Sequence, residues 1–448
     1  MYWIVFLLIV LGVTVTFVIL QRYTQNKTLW ITDMSATIWF SVLPEQFEII
    51  KQIIEEYNNT LPKNTGIVVV GVNFDSEESL IDRLEDSMYT FSTIQVPDMI
   101  FLSEQSLKKL HRKKLVITAD KDKPEFKIFP IMASVDVAYI NTKRFQNIKR
   151  YAKKRENFPD LEDSSLSTFD DLEKAANVYT RVQIDENLVK SDGIKPFLTV
   201  NSLNRFFATA FMQLGGDTKN ISATPDIFYK VWRFIVKCSL LGYLVVVDED
   251  KQFFNKIDTV KSPVVLGVYA KNNYVIADYP KIAESVKKIL PITQYGMSFV
   301  SKPMNDTKKS ILTYFCDWFV QQQKNVELSV YYGCLPIMND TVNTSKEVID
   351  ESISLFALNI DMEEAELSRI TKRAEIVRTQ YESADSVIDY NVFNEEVIGN
   401  IVSKMSDYIA ACQHRLDHTI DYDNPDEDTV GTMYSRKAFD NWVNYFDL

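Results

Sequence analysis

Three short apolar runs follow one another in the first quarter of the chain: Ala36-Thr-Ile-Trp-Phe40, Ile67-Val-Val-Val-Gly-Val72 and Pro97-Asp-Met-Ile-Phe-Leu102. Each has strand length and is rich in β-branched or aromatic residues, and the second reads as a buried strand. Helical patterns separate them. Pro44 opens the first, with Phe47, Ile50, Ile53 and Tyr57 on one face, and Asn58, Asn59, Pro62 and Gly66 end it. Asp75 with Glu78 forms a capping-box-like start to the second, whose stripe is Leu80, Ile81, Leu84 and Met88. Ser103 is the expected N-cap of the third. Strands alternating with helices in this order imply an α/β fold, a parallel sheet covered by helices. Ligands of such sheets bind beyond the carboxyl ends of the strands. The candidate positions there are Trp39, Ser41, Asn73, Ser103 and Glu104.

A second α/β stretch follows. A basic, polar connector is expected over 143–163, then a helix capped by Thr168 with Asp171 at its third position. Leu203 to Leu214 reads as a helix ended by Gly215-Gly216. Thr224-Pro225 open another, with Ile227, Val231, Phe234, Ile235, Cys238 and Leu241 as its stripe and Gly242 after its last turn. Cys238 is therefore a core residue. A helix near Thr307 to Gln323 carries Ile311, Leu312, Phe315, Trp318 and Phe319 on its apolar side. The last hundred or so residues are charge-laced helical pattern, interrupted by the acidic run Asp421 to Asp428.

The other end of the chain has a different character. Residues 1–20 are almost all apolar and carry no charge, enough for a helix roughly 30 Å long, the thickness of a bilayer core. No Lys or Arg precedes the run, no Ala-x-Ala follows it, and no cysteine is present there for lipidation. These features favour a retained transmembrane anchor or uncleaved signal over 1–22. Arg22 and Lys27 lie after the span, which by charge alone draws the body toward the cytoplasm.

Composition excludes several classes. Of 448 residues, 46% are hydrophobic and 25% charged, a globular balance. A net charge of −12 argues against nucleic acid as a partner. Four cysteines without a C-x-x-C pair give neither a disulfide scaffold nor a zinc ribbon. No G-x-G-x-x-G, G-x-x-x-x-G-K-[ST], G-x-S-x-G or H-E-x-x-H occurs, so no cofactor is expected. In the cluster Cys412-Gln-His414-Arg-Leu-Asp417-His418, His414 and His418 would share a helix face and suit a metal, although a solvated polar face is the plainer reading.

The order of motifs resembles the extracellular solute-binding proteins of ABC sugar importers, the maltose-binding-protein-like family, over roughly residues 36 to 340. The strand ending in Trp39 and the helix from Phe47 to Tyr57 match the family's opening. Pro97-Asp98-Met-Ile-Phe is similar to its "PD" strand. Phe129-Pro130-Ile with Val137-Ala-Tyr139-Ile-Asn141 is similar to its crossing strand, and Thr168-Phe-Asp-Asp-Leu172 to "TwdEl". Lys195-Pro-Phe197 leading to Leu214-Gly-Gly-Asp217 is similar to "EPY…GG". Phe253-Phe-Asn-Lys256, Val265-Leu-Gly-Val-Tyr269 and Gly333-Cys-Leu-Pro336 complete the series.

The resemblance implies a two-lobed periplasmic-binding-protein-like clamp of type II, with an N-terminal transmembrane helix and a helical C-terminal region. Lobe 1 takes 31–139 plus 288–322, and lobe 2 takes 140–287 plus 323–448. The chain would cross between lobes near Tyr139 to Asn141, near Pro291 and near Gln323. Ligand would lie between the lobes, and hinge closure would signal occupancy to permease subunits. Aromatic rings suit the apolar face of a sugar, and Asp, Glu, Asn and Lys suit its hydroxyls. The resemblance aligns Phe197 with the Tyr of "EPY" and Tyr269 with a Trp, and it adds Tyr295 to Trp39, Ser41, Asn73 and Glu104 as ligand-binding residues. The expected protein is thus membrane-anchored and extracytoplasmic, binds a carbohydrate-like solute for an ABC importer, and is not an enzyme. Three departures keep a second reading open, a membrane-anchored structural or sensory protein without sugar binding. Lys195 replaces an acidic residue, the usual Gly before "PD" is missing, and the lipidation cysteine is absent. A glycan-cleaving enzyme would need two carboxylates about 5 to 10 Å apart, which the sequence does not place.

Overall fold

The computed structural model describes residues 35–446 apart from 43, 63–65, 90–95, 119–127, 155–160, 162–165, 186–193, 201, 219, 248–261, 268–273, 284–285, 322, 333, 339–340, 343–346, 348–349, 351–363, 385, 390–394 and 417–419. The apolar run 1–20 lies outside the described residues. Among the described residues no helix is long and apolar enough to cross a membrane.

The chain begins with β1 (Ser35–Ser41), α1 (Pro44–Thr60), β2 (Val68–Phe74), α2 (Glu77–Tyr89), β3 (Met99–Ser103), α3 (Glu104–Arg112) and β4 (Val116–Ile117). Next come β5 (Phe129–Val135), β6 (Val137–Ile140), α4 (Thr142–Lys153), α5 (Phe169–Asp185), β7 (Leu198–Val200), α6 (Leu203–Gln213), α7 (Pro225–Leu240), β8 (Leu244–Val246), β9 (Val264–Gly267) and β10 (Val275–Ala277). They are followed by β11 (Ile289–Val300), α8 (Asp306–Val320), α9 (Gln323–Tyr332), β12 (Leu335–Met338), β13 (Thr341–Val342), α10 (Glu364–Ser383), β14 (Ser386–Asp389), α11 (Glu395–Gln413), α12 (Thr429–Met433) and α13 (Arg436–Phe446). These elements form two compact units. The first gathers residues to Ile131, Tyr295–Leu328 and Met338–Asp340, and the second gathers Met132–Gln294, Ser329–Ile337 and the residues from Thr341.

In the first unit β1 pairs in parallel with β2 on one side and β3 on the other, as the alternation of strands and helices implies. β11 runs antiparallel to β3, with Tyr295 opposite Ser103. Gly296 is required there, because a Cβ would stand 2.3 Å from the Phe129 carbonyl oxygen. The Pro97-Asp98 motif has a structural job. The Asp98 carboxylate accepts from Thr37 N at 2.8 Å and pairs with Lys302 Nζ at 2.8 Å, and its own N–H donates to Thr37 O. Trp39, Ile100 and Leu102 pack with Leu80 and Leu84 of α2 and with Leu107 and Leu110 of α3.

Two local expectations need correction. β2 is not a fully buried strand. It ends the sheet order beside β1, and its two faces differ: Val69 is buried while Val68, Val70 and Val72, on the other face, are exposed. The start of α2 is capped one residue later than expected. Ser76 and Ser79 exchange bonds, each N–H donating to the other's Oγ at 3.2 and 3.0 Å.

The second unit contains a sheet in the order β10-β6-β9-β7-β8. β7, β8 and β9 are parallel, and β6 runs antiparallel to β9. The expected connector after residue 142 is in fact helix α4, with Asn141 Oδ1 accepting from Arg144 N at its start. Phe145, Ile148 and Ala152 form its buried face, a periodicity masked in the sequence by the many cations between them. Thr168 caps α5 as expected, accepting from Asp171 N and donating to Asp171 Oδ2 at 2.6 Å. Gly215 and Gly242 end α6 and α7 with φ of +89° and +71°, where a side chain would be strained. Thr224 precedes α7 without making a side-chain cap bond. Cys238 is buried in a large core that also holds Phe197, Phe206, Phe211, Trp232 and the C-terminal Phe439 and Trp442. The helical C-terminal region is attached by stacked rings and by charge. Lys237, itself buried, bonds Glu173 at 2.7 Å and Asp426 of the acidic run at 2.8 Å.

Candidate functional site

Parallel pairing puts the carboxyl ends of β1, β2 and β3 on one edge of the first unit. Polar side chains sit at or beside each strand end there: Ser41, Asn73, and Ser103 with Glu104. Asn73 joins the first two strand ends. Its Oδ1 accepts from Val42 N at 3.1 Å, and its Nδ2 donates to Val42 O at 2.9 Å, so the amide acts as one more rung of the ladder. Ser41 is the last residue of β1 and is half-buried.

The third strand end is tied to α2. Glu77 Oε1 accepts from Ser103 N at 3.0 Å, and its Oε2 accepts from Ser106 Oγ at 2.6 Å and lies 3.2 Å from Ser103 Oγ. Ser103 Oγ in turn accepts from Ser106 N, the N-cap expected for α3. Glu104 opens that helix, is buried, and has Lys108 Nζ at 3.4 Å. Tyr295 is half-buried across the ladder from Ser103. The edge thus carries a row of hydroxyl, amide and carboxylate groups. Bonds between elements hold Asn73, Glu77, Ser103 and Ser106, so they are oriented before any ligand arrives.

The expected residues separate clearly in this structure. Ser41, Asn73 and Tyr295 lie on strands of this edge, Tyr295 within β11 rather than in the expected loop, and Glu104 opens the helix after β3. Trp39 is on β1 too, but it is buried, its ring centroid 4.8 Å from that of Phe74. Phe197 is in the second unit at 0% exposure, its ring 5.7 Å from Tyr179, and it presents no face to solvent. Tyr269 lies outside the described residues, just after β9. Lys195, in place of the family's acid, is held by its backbone: its N–H donates to Gln183 Oε1 at 2.8 Å and its carbonyl accepts from Gln183 Nε2 at 3.0 Å. Glu77 and Ser106 belong to the edge and were not expected. The only local trace of them is a glutamate in the first turn of one helix and a Ser-x-x-Ser start to the next.

The groups that could do covalent or metal chemistry are placed differently. All four cysteines are buried, and burial raises each thiol above its usual pKa, to about 11 for Cys334, which disfavours a thiolate nucleophile. Among the described residues no group of three or more His, Cys, Asp or Glu is arranged to hold a metal. His418 lies outside the described residues.

The same arrangement of elements occurs in solved proteins. UgpB from Mycobacterium tuberculosis, in complex with glycerophosphocholine, superposes with a TM-score of 0.54 at 13% identity, covering 92% of this chain and 99% of that one. The chain shares its fold with this protein. A putative oligosaccharide periplasmic-binding protein from Synechococcus, in complex with zinc, gives 0.55 at 9% identity over 91% and 99% of the two chains. The cyclic α-maltosyl-1,6-maltose binding protein of Arthrobacter globiformis gives 0.52 at 13% identity over 92% and 98%. No family model and no curated protein matches the sequence itself. The likeness is therefore one of fold.

Proposed function

We propose that the chain is an extracytoplasmic solute-binding protein that captures a carbohydrate-like solute and presents it to the permease subunits of an ABC importer. The observation that carries this reading is the polar edge at the ends of β1, β2 and β3, on a fold shared with oligosaccharide-binding proteins. Ser41, Asn73, Glu77, Ser103 and Tyr295, all half-buried, supply donors and acceptors of the kind that hydroxyl groups exchange, with Glu104 and Ser106 buried beside them. From the second unit the reading adds Tyr269 as a ring for an apolar sugar face. The protein acts by binding and release, without catalysis. Residues 1–20 serve as an uncleaved anchor, and the apolar sequence with no cleavage motif supports this.

A thermal-shift screen of the full chain against mono- and oligosaccharides and glycerophosphodiesters tests the reading. A solute at a hundred times its dissociation constant adds about 2.7 kcal/mol of stability. A shift for one solute class, reduced by Tyr269→Ala, supports the proposal. A folded sample that responds to none of them points instead to a membrane-anchored protein that keeps the fold without a sugar.

A further inference from the structure

Helix α4 carries Lys143, Arg144, Lys149, Arg150 and Lys153 and no acidic residue, and Lys154 follows it, on a chain whose net charge is −12. Its buried stripe is Phe145, Ile148 and Ala152. On the opposite side Lys143, Gln146, Asn147, Arg150, Lys153 and Lys154 are all exposed. Arg144 and Lys149 flank that stripe and are half-buried, so the argument rests on Lys143, Arg150, Lys153 and Lys154.

Only part of this charge serves the helix itself: Arg150, Lys153 and Lys154 fall in or just after the last turn, where the dipole favours cations, but the remaining cations have no such role. Lys143 and Arg144 sit in the first turn, where the helix dipole disfavours cations. Lys149 with Lys153, and Arg150 with Lys154, are like charges four apart, which also disfavours the helix. The face bears no exposed apolar or aromatic residue for the dry centre of a protein–protein interface. What suits it is a diffuse array of anions. If residues 1–20 are in a bilayer, the fourteen residues from 21 to 34 span at most roughly 50 Å, so an anionic headgroup layer is the nearest such array.

We propose that the exposed face of α4 docks on the surface of an anionic bilayer and sets how the tethered body is held. It draws on the anchor for proximity and on α4 for charge, and the two can be separated. The test uses the full chain with a donor fluorophore at Asn147→Cys and acceptor-labelled vesicles. One set is phosphatidylcholine with phosphatidylglycerol, and the other is phosphatidylcholine alone. Flotation with neutral vesicles reads the anchor. Energy transfer from position 147 reads α4.

Each cation at an anionic surface contributes roughly fivefold in partitioning. Strong transfer is expected on anionic vesicles only. It is expected to fall away at about 1 M salt, where the Debye length is about 3 Å, and in the K143E/R150E/K153E/K154E variant. The melting temperature of that variant checks that it is folded. If the chain floats only with anionic vesicles and loses this on charge reversal, α4 docks without the anchor. Equal transfer on both vesicles, transfer that survives charge reversal, or flotation without transfer on anionic vesicles overturns the proposal. So does salt-sensitive binding to an acidic protein with no transfer to lipid.

Discussion

The Arg205 guanidinium donates to Asp136 Oδ1 at 2.9 Å in the interior of the second unit, and its other arm donates to Thr293 Oγ1 at 2.7 Å. Arg205 is 1% exposed and Asp136 4%. Asp136 lies between β5 and β6, and Thr293 lies on β11, each within a few residues of a point where the chain passes from one unit to the other. One side chain on α6 therefore bonds the chain just after it enters the second unit, at Asp136, and just before it leaves, at Thr293.

Breaking this pair leaves a buried charge without compensation. Arg205→Ala is expected to lower stability by about 3–5 kcal/mol, whereas replacing both partners, Arg205→Met with Asp136→Leu, costs much less. Urea unfolding of the three proteins measures the difference.

The same pair makes stability depend on pH. Burial lifts the Asp136 carboxyl above its ordinary range, and the charge and hydrogen bond of Arg205 pull it part of the way back. An unfolded aspartate titrates near pH 3.9. Between there and the raised folded value, the native state holds more protons than the unfolded state. Stability contributed by Asp136 therefore falls as pH rises through that window. Denaturant unfolding from about pH 4 upward is expected to show wild type losing ground to Asp136→Asn as pH increases.

Phe197 and Tyr269 are expected to part company. Phe197 is wholly buried, so Phe197→Ala removes core packing at about 3–5 kcal/mol and lowers the melting temperature sharply. Tyr269→Ala is expected, on the proposed reading, to weaken solute binding. Calorimetric scans of both variants, with and without solute, check this.

At the strand edge, Glu77→Ala removes the acceptor for Ser103 N, Ser103 Oγ and Ser106 Oγ. Hydrogen bonds to a charged group are worth about 1.5–3 kcal/mol each, and the solvated part of this site puts the loss at the lower end. An effect of about tenfold, or about 1.4 kcal/mol, is expected on binding as well, because the two serines lose their orientation. Parallel melting and titration experiments separate the two.

Much of the fold could be read from local pattern. The caps at Ser103 and Thr168, the glycines after α6 and α7, and the strand–helix alternation all express short-range rules. What could not be read depends on distant partners. Val68, Val70 and Val72 look like a buried strand until it is known that β2 ends a sheet. The helix of α4 was hidden because its three apolar residues are outnumbered by cations. Phe197 was expected at a ligand because an aligned motif cannot distinguish an aromatic on a core from one on a surface. Glu77 was missed because Ser103 and Ser106, which define its place, are 26 and 29 residues away. By contrast, Ser41, Asn73 and Glu104 could be placed at one sheet edge because strand ends can be located from sequence, whereas Tyr295, expected in a loop, lies inside β11.

The central claim is that this chain holds a carbohydrate-like solute, and isothermal titration of the full protein with a panel of mono- and oligosaccharides tests it most directly. The account predicts saturable binding of one saccharide class, weakened about tenfold by Glu77→Ala in a protein that remains folded. Flat titrations with every saccharide, from a sample with an intact cooperative melt, would contradict it.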